Sequence, residues 1–389
     1  MYRLSNLDDV LRNEHYENDI RYAFQLCLWI LKPIGIYPFI YSRANRLERM
    51  VSVVLISICC LVVQFVIVPF GYYILFYEKD MNTRIKFLGP LAFCVTSFFK
   101  YGYLSLKGRA FERCIVHVER DWRLLRDQDH RAIMIRHVTM SRNLITLCAA
   151  FMYTGGLSYH TIMPLLSKNV VNENVTIRPL TYPGYEAFFD IQESPTLTAV
   201  FTSHACGQIE IQTSRLEHLT NEKRSPRKYA SYENHIAIVV RNHVKILRFT
   251  KDVEKAMQEI LLMEVVMSTL LICLLEYYCM MEWETSDSIA ILTYVILLTS
   301  FIFSIAIYCY VGELLLGQGD KIATASYKID WYNLSGRTAR GIVLVLAVSK
   351  YPPKLTAGKI FDLSLNTFGV VLKSSLVYLN MLRTITDSN

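Results

Sequence analysis

The sequence predicts an all-α membrane protein: seven transmembrane helices, a cytosolic N-terminus, an extracellular C-terminus, and helical extensions on the cytosolic side. Three observations carry this expectation. Of the 389 residues, 52% are hydrophobic and only 19% charged, where soluble domains carry about 25%. The apolar residues gather into runs of spanning length, and mean hydropathy is +0.26. Lysine and arginine collect in every second connection between those runs.

Residues 1–48 mix acids and bases around one amphipathic patch, 22–31, which Pro33 stops and which is too short to span. The first 25 residues show no apolar stretch with a small-residue cleavage site, so the first span is expected to act as the membrane signal. Spans are expected at 50–77, 85–106, 143–166, 195–219, 258–281, 288–311 and 361–384. The second opens on Gly89-Pro90 and contains Lys100; both are tolerable where neighbouring helices satisfy the freed groups. The fourth is the most polar. It holds His204, Gln208, Glu210 and Gln212, which suits a helix buried in the bundle better than one facing lipid. His160 and His204 read as packed or hydrogen-bonded helix residues, with proton sensing or ligand contact as the alternative. Glu264 and Glu276 in the fifth span read as interhelical partners, with an ion path as the alternative.

Two connections are long and basic. In 107–141, Phe111, Ile115, Val118, Trp122 and Leu125 recur at helical spacing, so this stretch is expected to form an amphipathic helix outside the membrane. In 221–255, Ile236, Val239, Val240, Val244, Leu247 and Phe249 mark a second. The connections after spans two, four and six hold nine, nine and seven lysines and arginines, against at most three after the others. The positive-inside rule then puts the basic connections in the cytosol. The sequon at Asn174 falls on the extracellular side, open to glycosylation, and that at Asn333 on the cytosolic side.

This topology weighs against a seven-helix G-protein-coupled receptor, which has the opposite orientation. Residues 167–194, which would be its second outer loop, contain no cysteine, and no Asp-Arg-Tyr follows span three. A multi-span transporter often shows internal repeats, and no segment here recurs. No Gly-rich phosphate loop, paired-His metal motif or nucleophile elbow appears, so neither an enzyme nor a cofactor is expected, and nothing points to nucleic acid.

The C-terminal stretch carries the most specific signal. SYKIDWYNLS, KLTAGKIFDLSLNTF and VLKSSLVYLNML follow in order between Ser326 and Leu382, with Tyr327, Trp331, Pro352, Thr356, Ala357, Lys359, Leu363, Ser364, Phe368 and Tyr378 in characteristic places. The segment resembles the C-terminal signature of the insect odorant receptors. The resemblance implies a ligand-gated, non-selective cation channel in the plasma membrane of a sensory neuron. In such a channel a ligand-specific tuning subunit joins a longer co-receptor in a hetero-tetramer, and the last helix of each subunit lines one central pore. It further implies a cytosolic subunit anchor, here over 322–349 and including Trp331 and Tyr332. Residues 1–319 would then hold the first six spans and the ligand pocket, and 320–389 the anchor and pore helix.

Pockets for small molecules are mostly apolar and aromatic, with a few polar groups. The outer halves of spans two, three, four and six supply Leu91, Val95, Tyr153, Leu157, His160, Phe201, Leu292, Tyr294 and Val295, a lining suited to a small, largely neutral volatile. In the last span Ser374, Tyr378, Met381 and Ile385 share one face by four-three-four spacing, with Met381 and Ile385 as an apolar constriction. Lys373, about 18 Å along a helix starting at 361, turns off that face. It is expected to pack toward a neighbouring helix or line a wide inner vestibule.

Overall fold

A computed structural model describes residues 13–32, 35–40, 45–157, 170–172, 175–177, 193–221, 229–285, 288–329 and 331–387. Asn174 and His160 lie outside the described residues. Among the described residues, seven helices run to 23 residues or more: α3 (Arg46–Phe76), α4 (Met81–Leu106), α6 (Gln128–Leu157), α7 (Glu193–Asn221), α8 (Tyr229–Thr285), α9 (Ser288–Tyr327) and α11 (Leu365–Asp387). Even the shortest is about 34 Å long at 1.5 Å per residue, enough for a hydrocarbon core of about 30 Å. Around them stand α1 (Tyr16–Leu31), α2 (Tyr37–Ile40), α5 (Gly108–Leu124) and α10 (Gly336–Ser349). Two small antiparallel pairs complete the described chain: β1 (Val170–Asn172) with β2 (Val175–Ile177), and β3 (Thr356–Ala357) with β4 (Phe361–Asp362).

Helix α3, which contains most of the span expected at 50–77, has most of its surface free of protein contact, as a lipid-facing span should. Together with 233–283 and α9 it is one of three described helices both long and apolar enough to cross a membrane. The other long helices are more polar because they face protein. Lys100 in α4 donates to Glu264 of α8 at 2.8 Å, and Tyr308 of α9 donates to the same carboxylate at 3.1 Å; all three side chains are buried. Charges in a span are tolerable when paired in this way. Further pairings join α4 to α8 on either side of this one. Tyr278 donates to the Ile85 carbonyl at 2.6 Å, Lys86 pairs with Glu282 at 2.6 Å, and Tyr103 donates to Glu259 at 2.6 Å.

The 107–141 stretch is not one helix, as expected, but two. Its apolar stripe, Phe111, Ile115, Val118 and Trp122, is buried as the spacing requires. The chain then turns extended at Leu125 (φ −81°, ψ 102°), and the Asp127 carboxylate accepts the Asp129 N–H at 3.0 Å. That cap starts α6 in a new direction. The fourth span agrees with the expectation of a helix buried in the bundle. Its polar residues lie against helices of the basic layer: His204 bonds Asp121 of α5, Glu210 bonds His137 of α6, and Gln212 donates to the Val239 carbonyl of α8. This part of α7 is therefore buried among protein helices. Residues 229–255 and the fifth span form one helix, α8, whose 57 residues include neither glycine nor proline.

The last helix starts at Leu365, not at residue 361. Gly358 and Lys359 both adopt φ 60°, which turns the chain sharply, and Ala357 pairs with Phe361 across the turn. Such a φ favours glycine at 358. Leu363 then seats its backbone on Gly312 of α9, where an added Cβ would meet the Leu363 carbonyl oxygen and come within 2.7 Å of its Cβ. The β3–β4 hairpin thus locks the start of α11 against α8 and α9.

Candidate functional site

Two regions answer to the expected ligand pocket and pore. The first lies between α6 and α9. Gly155 faces Ser300, whose hydroxyl donates to the Phe151 carbonyl at 2.9 Å, so the two helices cross closely there. Beside the crossing is an open groove of about 440 Å³ lined by Ala150, Phe151, Thr154, Val295, Ile296 and Thr299. The hydroxyls of Thr154 and Thr299 donate to carbonyls one turn back in their own helices, at 2.7 and 2.8 Å. The groove therefore presents mainly methyl, methylene and ring surface to an occupant.

Of the residues expected to line a pocket, Val295 borders this groove. Tyr153 and Leu292 are exposed, and Leu91 and Val95 half-buried. Tyr294 is buried in a cluster with Ile85, Leu274, Tyr277 and Tyr278, its ring 5.4 Å from that of Tyr278. Phe201 is fully buried in the main core. Leu157 belongs to α6, and His160 lies beyond the described residues. The structure does not gather these positions into one cavity among the described residues. Ala150, Phe151, Thr154, Ile296 and Thr299 were not singled out from sequence. They lie within a turn of Tyr153 and Val295, so only the rotation of each helix separates the two sets.

The second region is α11. Thr367, Val371 and Ser375 recur every four residues and are buried against the bundle. Ser375 donates to Glu276 of α8 at 3.3 Å. The other faces are open: Val370, Leu376, Val377, Tyr378 and Met381 are exposed, as are Lys373 and Asn380, while Ser374 is half-buried. Ile385 belongs to the same helix. With the helix starting at Leu365, Lys373 stands about 12 Å along it rather than 18 Å. Lys373 is exposed and makes no ion pair among the described residues. Near the opposite end of the hairpin segment, Trp331 packs half-buried on the core while Tyr332 projects outward, 68% exposed.

Comparison with known proteins bears on these features. Residues 193–376 match the family model described as 7tm Odorant receptor. The chain is 23% identical to Odorant receptor 13a of Drosophila melanogaster over 219 residues, 53% of this chain and 51% of the other. It is 21% identical to Odorant receptor 10 of Aedes albopictus over 209 residues, 52% of each. Over this segment the chain is similar to the insect odorant receptors.

Its fold extends the similarity beyond the matched segment. The structure superposes on the insect olfactory receptor OR5 of Machilis hrabei solved in complex with eugenol with a TM-score of 0.76, covering 96% of this chain and 100% of that one at 13% identity. A second structure of the same receptor gives 0.72 at 15% identity. By sequence, the chain spans about half the length of the curated relatives it matches. The long apolar helices, together with this likeness, make the chain a multi-pass membrane protein. Its matched segment runs from α7 into α11, so it includes the α9 wall of the groove and excludes the α6 wall. Part of the groove thus comes from the region outside the family match.

Proposed function

We propose that this chain is an odorant receptor, the ligand-specific subunit of a ligand-gated, non-selective cation channel. The carrying observation is α11, a helix with one face buried and the rest exposed in the single chain. A central pore shared by several subunits would cover such a helix on its flanks and leave one face to water. On this reading Ser374, Tyr378, Met381 and Ile385 face the pore, Trp331 and Tyr332 belong to an anchor between subunits, and 320–389 carries anchor and pore. Residues 1–319 carry the ligand pocket. The partner is a co-receptor completing a hetero-tetramer in the plasma membrane, and the basic layer faces the cytosol.

The ligand is a small, largely neutral volatile. The apolar groove supports this, as does the fact that a receptor of the same fold was solved with eugenol, a small aromatic. The outer-half residues Leu91, Val95, Tyr153, Leu157, His160, Phe201, Leu292, Tyr294 and Val295 remain the proposed ligand set, to which the groove adds Phe151 and Thr154.

Cells expressing the chain with a co-receptor should pass cation current within a fraction of a second of odorant exposure, insensitive to G-protein block, and the chain alone should pass little. A tag after Asn389 should stain on intact cells, and one before Met1 only after permeabilisation. Reversed staining with GTP-dependent current would establish a metabotropic receptor in its place.

A further inference from the structure

A polar cavity of about 150 Å³ opens in the basic layer where α5, α7 and α8 meet, away from both the groove and α11. Asp121 of α5 lies buried at its wall. One carboxylate oxygen accepts from His204 at 3.2 Å and stands 3.5 Å from His117, and the other accepts from Lys245. Burial alone would raise the Asp121 carboxyl. The hydrogen bonds and charge of His204 and Lys245 outweigh it and hold the group below its ordinary value. The acid is therefore ionised, and Lys245 already balances it.

What remains is a guanidinium balanced only in part. Arg215 of α7 also lines the cavity and, among the described residues, makes no hydrogen bond or close ion pair; the Asp127 carboxylate, outside the lining, acts on it at longer range. Gln208 and Asn242 line it too, and their amides are likewise without partners among the described residues. Two permanent cations and one carboxylate thus line the cavity itself. The surplus guanidinium carries a planar fork of N–H donors, with two amide N–H₂ groups and the His117 ring around it. Water can reach these half-buried donors, and an oxyanion that displaces it gains charge-assisted bonds in their place. Guanidinium forks match the oxygens of phosphate with two parallel bonds.

We propose that this cavity binds a phosphate monoester, with Arg215 as the charged ligand, Gln208 and Asn242 as neutral donors, and the Asp121–Lys245 pair fixing the wall. The group can come from a soluble phosphate or from a lipid headgroup, and the chemistry of recognition is the same. The inference does not depend on odorant gating and is tested without it.

The full chain, purified in detergent and separately in phosphatidylcholine nanodiscs, is melted against inorganic phosphate and glycerol phosphate, with chloride at matched ionic strength as the control. A parallel set of nanodiscs contains phosphatidic acid. A saturable rise in melting temperature with the soluble probes supports a soluble phosphate, and a rise confined to phosphatidic acid supports a headgroup. In either case Arg215→Gln should raise the half-saturating concentration about tenfold or more, as expected for a lost charged hydrogen bond. Arg215→Lys should recover part of that loss, and Gln208→Ala should give a smaller one. Because Arg215 makes no hydrogen bond among the described residues, its replacement should leave the starting melting temperature close to that of the unmodified chain. No stabilisation beyond chloride by any probe overturns the proposal. So does equal stabilisation of the Arg215→Gln chain.

Discussion

Lys100 and Glu264 are the kind of residue that sequence shows clearly and incompletely. Each stands out as a charge in an apolar run, and reading Glu264 as an interhelical partner agrees with the pair it makes. Nothing in the local sequence names its partner or marks Tyr308 as the third member, because those contacts depend on how α4, α8 and α9 are rotated against each other. The same holds for His204, legible as a hydrogen-bonded helix residue but not as a ligand of Asp121. Removing one side of a buried pair strands the other charge, at about 3–5 kcal/mol, whereas removing both can be close to neutral. Lys100→Met and Glu264→Gln should each lower the melting temperature and surface delivery. The double variant Lys100→Met/Glu264→Leu should recover much of both. A double variant as unstable as the sum of the singles would show that the two residues act separately.

Among the elements, α11 depends most on the hairpin before it. A run of apolar residues reads as helix from 361 onward, but the positive φ at Gly358 and Lys359 spends Phe361 and Asp362 on a strand pair. Hydropathy carries no sign of this, since a two-residue strand has too few positions to show a period. The break in 107–141 was hidden for a similar reason, as one capping aspartate outweighs a continuous apolar stripe. The proposed pore face shifts little. Met381 remains near the far end, about 24 Å from the helix start. Replacing Met381 by alanine or serine should change ion selectivity or spontaneous opening, measured by reversal potentials in bi-ionic solutions. Lys373→Met should instead alter assembly or the odorant concentration for half-maximal current. If only Lys373→Met moves the reversal potential, the pore face lies on the lysine side.

Across the whole molecule, charge is segregated, and the basic layer responds to acid as a unit. Burial is the leading cause that lowers the protonation of His117, His130, His137 and His243, all in that layer, below the ordinary 6.5. Below that value the unfolded chain binds protons that the folded chain still refuses, so stability rises with pH in this window and falls with acid. Asp121, held below its ordinary value, adds a further loss at still lower pH. The melting temperature of the purified chain should fall as pH drops from about 7 to about 5, and His243→Phe should lessen the fall. An unchanged melting temperature across that range would mean these imidazoles are wetter than their packing implies.

Helix α8 acts as a rigid axle. With 57 residues and no glycine or proline to bend it, it extends about 86 Å, holding Lys245 at the Asp121 cluster and Glu264, Glu276 and Glu282 toward the other end. A shaft of that kind cannot absorb a phase error along its length. One extra alanine between Lys251 and Asp252 would turn everything beyond it by about 100° relative to everything before. Either the Asp121 contacts or the pairings with α4 and α11 would then face the wrong way. Such an insertion should be far more damaging than any single substitution on the helix surface, and surface delivery of the inserted chain would measure it.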